Sequence, residues 1–193
     1  RETTDPTENL TYYNEEMERC AVEYATYAYE QVKKAKVACN DPIVLIEQKL
    51  DFSRWVPEGF GTGDCVIVAD GTLSVIDFKY GKGVEVRAEN NPQMMLYALG
   101  ALELFDGIYD ISAVNMIIFQ PRRDNISEYA ISKEELLRWA NEILTPTAQL
   151  AANGDGDFKA GKHCRFCKVR ATCRKLAEYN LALARYDFEP PAP

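Results

Sequence analysis

The sequence predicts an α/β protein, a mixed central sheet of about five strands flanked by helices, with a cysteine-bearing helical tail at its C-terminal end. Three observations carry this. Stretches with helical spacing of apolar residues alternate with short β-branched runs. Asp70-Gly71, set between Cys65-Val66-Ile67-Val68-Ala69 and the run from Thr72 to Tyr80, is a two-residue hairpin signal. Beyond the last strand-like run, Cys164, Cys167 and Cys173 crowd together among basic residues.

The elements follow in order. From about Asn14 to Ala38, the spacing of Met17, Val22, Tyr24, Ala28 and Val32 predicts one long helix, stopped by the Cys39-Asn40-Asp41 turn and Pro42. Ile43-Val44-Leu45-Ile46 opens a strand reaching about Asp51. Pro57, Gly59, Gly61 and Gly63 predict a loop over 52–63, after which the two strands of the hairpin follow. Asn91-Pro92 pairs an N-cap residue with proline at the first helical position, so a helix runs to about Phe105. Val114 to Gln120 and Asn125 to Ile131 read as strands, and Ser132-Lys133-Glu134-Glu135 is a capping box starting a helix to about Ala152. Asn153-Gly154-Asp155-Gly156-Asp157 is hinge-like, a last helix spans about Thr172 to Tyr186, and the Pro-rich end from Pro190 is expected to fray.

Length and charge bound the function. A chain of 193 residues suits one core domain plus an appendage, with the division expected as 1–153 and 154–193. No apolar run approaches the roughly 20 residues that cross a bilayer, so no membrane partner is expected. With 30 acidic against 22 basic residues the net charge is −8, so any contact with nucleic acid must be local. The first dozen residues hold neither a basic n-region nor an apolar h-region, which leads us to expect a cytoplasmic protein, a fragment of a longer chain. Cys20, Cys39 and Cys65 lie apart from the tail cysteines and read as small buried hydrophobes.

The hairpin carries the chemistry. Pairing brings Asp64, at the start of one strand, close to Asp77-Phe78-Lys79 at the end of the other. Alternation puts Asp77 and Lys79 on one face, with Ile76 and Phe78 on the opposite, apolar one. Two neighbouring carboxylates repel unless a proton or cation separates them, and oxygen-only ligands suit Mg²⁺ or Mn²⁺. Lys79 would then face the anion that the metal holds, a combination suited to phosphodiester hydrolysis. The alternative is an Asp64 that caps the loop and an ordinary ion pair between Asp77 and Lys79. Gln93 and Tyr97 lie four apart on the next helix, hence on one of its faces. Glu47, Lys49 and Asp51 share a face by alternation; Glu47 is either a further acid near the metal or a partner for lysine at a sheet edge.

Gly61 to Asp64, Asp77 to Lys79 and Gln93 to Tyr97 occur in the order G-x-x-D, D/E-x-K, Q-x-x-x-Y. In this the chain resembles the RecB-like branch of the PD-(D/E)XK nuclease superfamily. The resemblance implies a restriction-endonuclease-like core, with Asp64, Asp77 and the Phe78 carbonyl as metal ligands and Lys79 as the catalytic lysine. It further implies Gln93 and Tyr97 along the DNA side of the cleft, and an upstream acid, for which Glu15, Glu16, Glu18 and Glu23 are available.

Cys164-x2-Cys167-x5-Cys173 has the tight first pair of a shared metal site and needs a fourth ligand. It resembles the C-terminal part of iron–sulfur RecB-like nucleases, in which a distant N-terminal cysteine completes a [4Fe–4S] cluster. Cys20 and Cys39 are the available candidates, and a partner before Arg1 would leave the site incomplete in this chain. Zn²⁺ with His163, or free thiols, are the other readings. Lys159, Lys162, Arg165, Lys168, Arg170, Arg174 and Lys175 run without an intervening acid, either as a phosphate-tracking surface or as a solvated face. The expectation is a Mg²⁺- or Mn²⁺-dependent deoxyribonuclease, an exonuclease of phage or prophage recombination or replication in a bacterial host, with DNA and a helicase or recombination protein as partners. The alternatives are a non-catalytic DNA-binding or scaffold subunit of the same fold and a metal-stapled interaction domain.

Overall fold

Local signals place the first turns of each helix in this computed structural model, which describes residues 13–186 and Phe188. Helix α1 covers Glu15–Ala38, and the Asn14 side chain accepts from the Met17 N–H. Helix α2 covers Pro92–Phe105, and the Asn91 side chain accepts from Gln93 and Met94 N–H. The Ser132 hydroxyl accepts from Glu135 N–H at the start of α3, Lys133–Trp139.

The sheet has five strands in sequence order: β1 (Ile43–Asp51), β2 (Phe60–Ala69), β3 (Gly71–Phe78), β4 (Ile111–Gln120) and β5 (Asn125–Ser132). All neighbours are antiparallel except β3 and β4, which run parallel because α2 carries the chain back between them. Ala69 pairs with Thr72 across the Asp70-Gly71 turn, where Gly71 takes φ +87°. One face of the sheet buries Leu73, Val75, Val66, Val114 and Met116 against Met94, Ala98 and Leu99 of α2 and Leu136 of α3. The other face buries Cys65, Ile67, Ile76, Ile117 and Phe119, with Tyr24, Tyr27, Ala28 and Val32 of α1 packed against them. The architecture is the mixed α/β sheet flanked by helices that the sequence predicts.

Four boundaries differ from the sequence reading. Strand β2 begins at Phe60, so the loop is only 52–59 and Gly61 and Gly63 lie inside the strand. They are glycines for space: a Cβ on Gly61 would stand 2.5 Å from the Tyr97 ring, and one on Gly63 would stand 2.9 Å from Leu50. Strand β3 ends at Phe78 rather than Tyr80, although Lys79 N–H still donates to the Phe119 carbonyl at 2.8 Å. Strand β4 starts three residues earlier than Val114, at Ile111. The helix from Ser132 is interrupted by a π-helical turn over Ala140–Leu144 before α4, Thr145–Asn153. There the Thr145 N–H reaches back five residues to Ala140, a widening one residue before Pro146, which has no N–H to give.

The chain divides into two compact units, 1–149 and 150–193. The second holds a short 3₁₀ turn at Lys162–Phe166 and helix α5, Arg174–Tyr186, neither of which contains a buried residue. Cys20, Cys39 and Cys65 are buried in the first unit, as small hydrophobes are. Among the described residues no helix is long and apolar enough to cross a membrane. The Pro-rich end from Pro190 lies outside the described residues.

Candidate active site

Five of the residues singled out by the sequence, Asp64, Asp77, Lys79, Gln93 and Tyr97, lie around the middle of β2 and the end of β3. Cys65 pairs with Ile76, which sets Asp64 and Asp77 side by side one step further along the hairpin. The Asp64 carboxylate accepts from the Phe78 N–H at 2.7 Å. Asp77 is 3% exposed, and its Oδ2 lies 2.9 Å from the Lys79 ammonium. That contact is a charge-assisted pair. Burial pushes the Asp77 carboxyl above the usual carboxylate range and Asp64 pushes the same way; Lys79 pulls it down, and burial wins.

Lys79 is held from its other side. Its Nζ donates to Gln93 Oε1 at 3.1 Å, and Gln93 Nε2 donates to the Tyr97 hydroxyl at 3.0 Å. The Tyr97 ring rests against Gly61. Thus the glycine of the first motif, the lysine of the second and both residues of the third form one contiguous assembly: Asp77, Lys79, Gln93, Tyr97, Gly61.

The start of α2, which carries Gln93, is itself anchored. Gln120, 2% exposed, accepts from Val86 N–H at 3.1 Å and donates to the Val84 carbonyl at 3.1 Å. Ser127 accepts from Ala88 N–H at 2.9 Å, and Arg123 donates to the carbonyls of Lys82 and Gly83. These bonds tie the segment between β3 and α2 to the ends of β4 and β5. Sequence reasoning passed over Gln120; a glutamine closing an otherwise apolar strand is the signal that was available.

Glu47 sits on β1 opposite Asp64, between the Ile46–Cys65 and Gln48–Gly63 pairs, and its backbone takes φ +51°. Alternation inverts at this point. Ile43 and Leu45 precede it on the α2 side of the sheet, but Leu50 follows on that same side. On β2, Val66 and Val68 lie on that side, yet Gly63 and Gly61 face Leu50 and Tyr97 there. A non-glycine residue in the left-handed region inside a strand is strained, and strain of this kind gathers at sites that need an unusual backbone path. Glu47, Lys49 and Asp51 are all exposed, and the inversion at Glu47 breaks the alternation by which the sequence puts the three on one face.

Three of the four upstream acids have partners of their own. Glu16 pairs with Arg122 at 2.9 Å and Lys82 at 3.1 Å, and these cations hold its carboxyl below the usual range. Glu23 lies 3.9 Å from Arg19, and Glu18 accepts from the Tyr13 hydroxyl. Tyr24 of α1 packs on the face of the sheet that carries Cys65, Ile76, Phe78 and Phe119, as part of the apolar stripe. Its phenol is pushed up by burial and by nearby Cys65, Asp64, Asp77 and Glu47.

In the second unit Cys164 and Cys173 are half-buried and Cys167 is exposed. The Cys164 sulfur accepts from Gly161 N–H at 3.4 Å, and the His163 ring meets the Lys159 carbonyl. Among the described residues no three His, Cys, Asp or Glu side chains are gathered closely enough to hold a metal by themselves.

The fold and this polar cluster define a mixed α/β protein with a buried acid and lysine pair at the end of a central strand. The chain belongs to the family described as "Protein of unknown function (DUF2800)", whose model matches residues 1–193. It is also similar to a solved structure titled "Crystal structure of SSO0001", at 15% identity over 83% of this chain and 77% of that one, with a TM-score of 0.37.

Proposed function

We propose that this chain is a Mg²⁺- or Mn²⁺-dependent deoxyribonuclease of the RecB-like branch of the PD-(D/E)XK superfamily, an exonuclease acting on DNA ends in phage or prophage recombination or replication. The observation that carries the reading is Asp77. A carboxylate 3% exposed and set beside a second one, Asp64, needs its charge offset; the Lys79 ammonium, 2.9 Å from its Oδ2, offsets one of the two negative charges, and a divalent cation would offset the rest. The donor set fits a hard divalent ion: Asp64, Asp77 and the main-chain oxygen of Phe78 offer oxygen only. When bound, such an ion polarises a phosphate oxygen and makes water a better nucleophile at neutral pH.

The chain's own residues supply the rest. Lys79 faces the phosphate and offsets the charge that grows on its oxygens as water attacks phosphorus and the ester P–O bond breaks. Gln93 holds the lysine by its ammonium, and Tyr97 holds Gln93, so the ammonium is aimed before substrate arrives. For the tail, the reading extends to a cluster or metal on Cys164, Cys167 and Cys173, whose thiolate donors suit iron–sulfur or Zn²⁺ rather than Mg²⁺.

The test is cleavage of end-labelled linear and closed circular DNA by the purified chain with Mn²⁺, with Mg²⁺ and with EDTA, beside Asp77→Ala. The expected result is metal-dependent loss of linear DNA only, falling at least ~10³-fold in the variant. Absent cleavage, with DNA still bound, would support a non-catalytic binding subunit instead, and metal-independent cleavage would overturn the metal-dependent mechanism.

A further inference from the structure

The second unit carries a stretch that neither its own packing nor the candidate active site explains. Residues 158–177 hold seven lysines and arginines and no acid, in a chain whose net charge is −8. Arg174 and Lys175 are engaged by Glu178, at 3.1 and 3.4 Å. Among the described residues no carboxylate comes within ion-pair distance of Lys159, Lys162, Arg165, Lys168 or Arg170. Cations gathered in one short segment repel one another until an anion comes between them. Two phenylalanines lie among these cations. Phe158 is 79% exposed and Phe166 84%, and the Arg165 guanidinium stands 5.6 Å from the centre of the Phe166 ring. Neither ring joins a hydrophobic core, so burial does not account for them.

We infer that this stretch is a binding surface for single-stranded DNA, with the unpaired cations following the phosphates and Phe158 and Phe166 stacking on bases. The choice of DNA rests on the deoxyribonuclease reading above, whereas a polyanion with flat, unsaturated faces follows from the side chains themselves. Cations alone would hold any polyanion, and the exposed rings narrow the choice. Stacking on an aromatic side chain needs a base whose face is open, as in a single strand; in a duplex each face is covered by the neighbouring base pair. A membrane surface would call for apolar side chains on one side of a helix and cations on the other. Here the rings alternate with cations along the chain, at Phe158-Lys159 and Arg165-Phe166, and both lie outside α5.

The test is fluorescence anisotropy of the full chain without added Mg²⁺ or Mn²⁺, using labelled oligothymidylate, oligouridylate and a blunt DNA duplex of equal length, with phosphatidylglycerol vesicles as competitor. Oligothymidylate should bind at least about tenfold more tightly than the duplex, and Phe166→Ala should weaken it roughly 5- to 150-fold. Lys168→Gln should instead lower the slope of log affinity against log salt by about 0.7. Both side chains are exposed, so both variants should melt as wild type does. Equal binding of strand and duplex with no loss in Phe166→Ala would reduce the surface to unspecific charge and overturn the inference. A preference for oligouridylate, displacement of the strand by the vesicles, or a lowered melting temperature of Phe166→Ala would overturn it too. Because no divalent cation is added, such a failure leaves the cleavage test at Asp77 standing, and absent cleavage with this binding intact would fault the nuclease reading alone.

Discussion

Asp77 and Cys167 are both candidate ligands, and the chain treats them in opposite ways. Asp77 follows Leu73, Val75 and Ile76, all fully buried, and closes a strand paired on both sides. Its position is therefore set by the same packing that holds the core, and Lys79, Gln93 and Tyr97 are aligned on it before anything binds. Cys167 is exposed, in a unit whose 3₁₀ turn and helix α5 contain no buried residue. Packing cannot aim a side chain it does not enclose. Where several sulfurs must converge without a core, the bound metal itself supplies the ordering free energy. The comparison separates a site that the fold organises from one that a ligand would organise.

The sharpest way to break it is to split the Asp77–Lys79 pair. Lys79→Met should abolish cleavage, by about 10³-fold or more, and also lower stability near neutral pH by on the order of 2 kcal/mol, because it strands a buried carboxylate. Asp77→Asn should abolish cleavage as well, yet raise the melting temperature of the metal-free protein by a few degrees, roughly 1 kcal/mol. Members of one ion pair would then move stability in opposite directions, as expected where a buried acid serves function at the expense of the fold. Equal losses in both variants would mean that the pair simply staples the strand.

The same contrast has a pH signature. Burial raises the Asp77 carboxyl in the folded state, so the protonated form is favoured by folding. Its contribution to stability is fully present below the unfolded carboxylate range and is lost as pH rises through the folded value. The advantage of Asp77→Asn should accordingly be largest near neutral pH and shrink as pH falls toward the ordinary carboxylate range. Melting curves of both proteins in EDTA across that window check the sign.

For the tail, the expectation is the reverse of that for the core. Cys167→Ser, or chelator treatment of protein purified without oxygen, should increase protease cleavage within 154–175 while leaving the main melting transition unchanged. Iron, sulfide and zinc content of the purified chain tests whether the sulfurs hold a cluster or a zinc ion. A tail equally protected in both forms would show that its order comes from packing after all.

A smaller effect probes the motif glycine. Gly61→Ala puts a Cβ against the Tyr97 ring, which cannot swing away without releasing Gln93. The expected cost is about 1–3 kcal/mol, with a partial fall in cleavage through a misaimed Lys79. Gly81→Ala, with open space around it, is the control and should change neither.

Much of this molecule was legible in its sequence because the signals were local. Asn14, Asn91 and Ser132 cap the helices they precede, and Asp70-Gly71 turns the hairpin that joins Asp64 to Asp77. Caps and tight turns satisfy backbone groups within a few residues, so a short window contains their whole cause. The spacing of Gln93 and Tyr97 on one helical face is of the same kind. Other features depend on contacts between segments far apart in the chain. Gly61 reads as a turn residue until Tyr97 is seen to fill the space beside it. The inversion of alternation at Glu47 likewise follows from how β1 meets β2. The sequence by itself determined the elements, their order and which residues could carry the chemistry. Only the tertiary structure decided which side chains meet, because steric exclusion and burial depend on the neighbours that folding brings together.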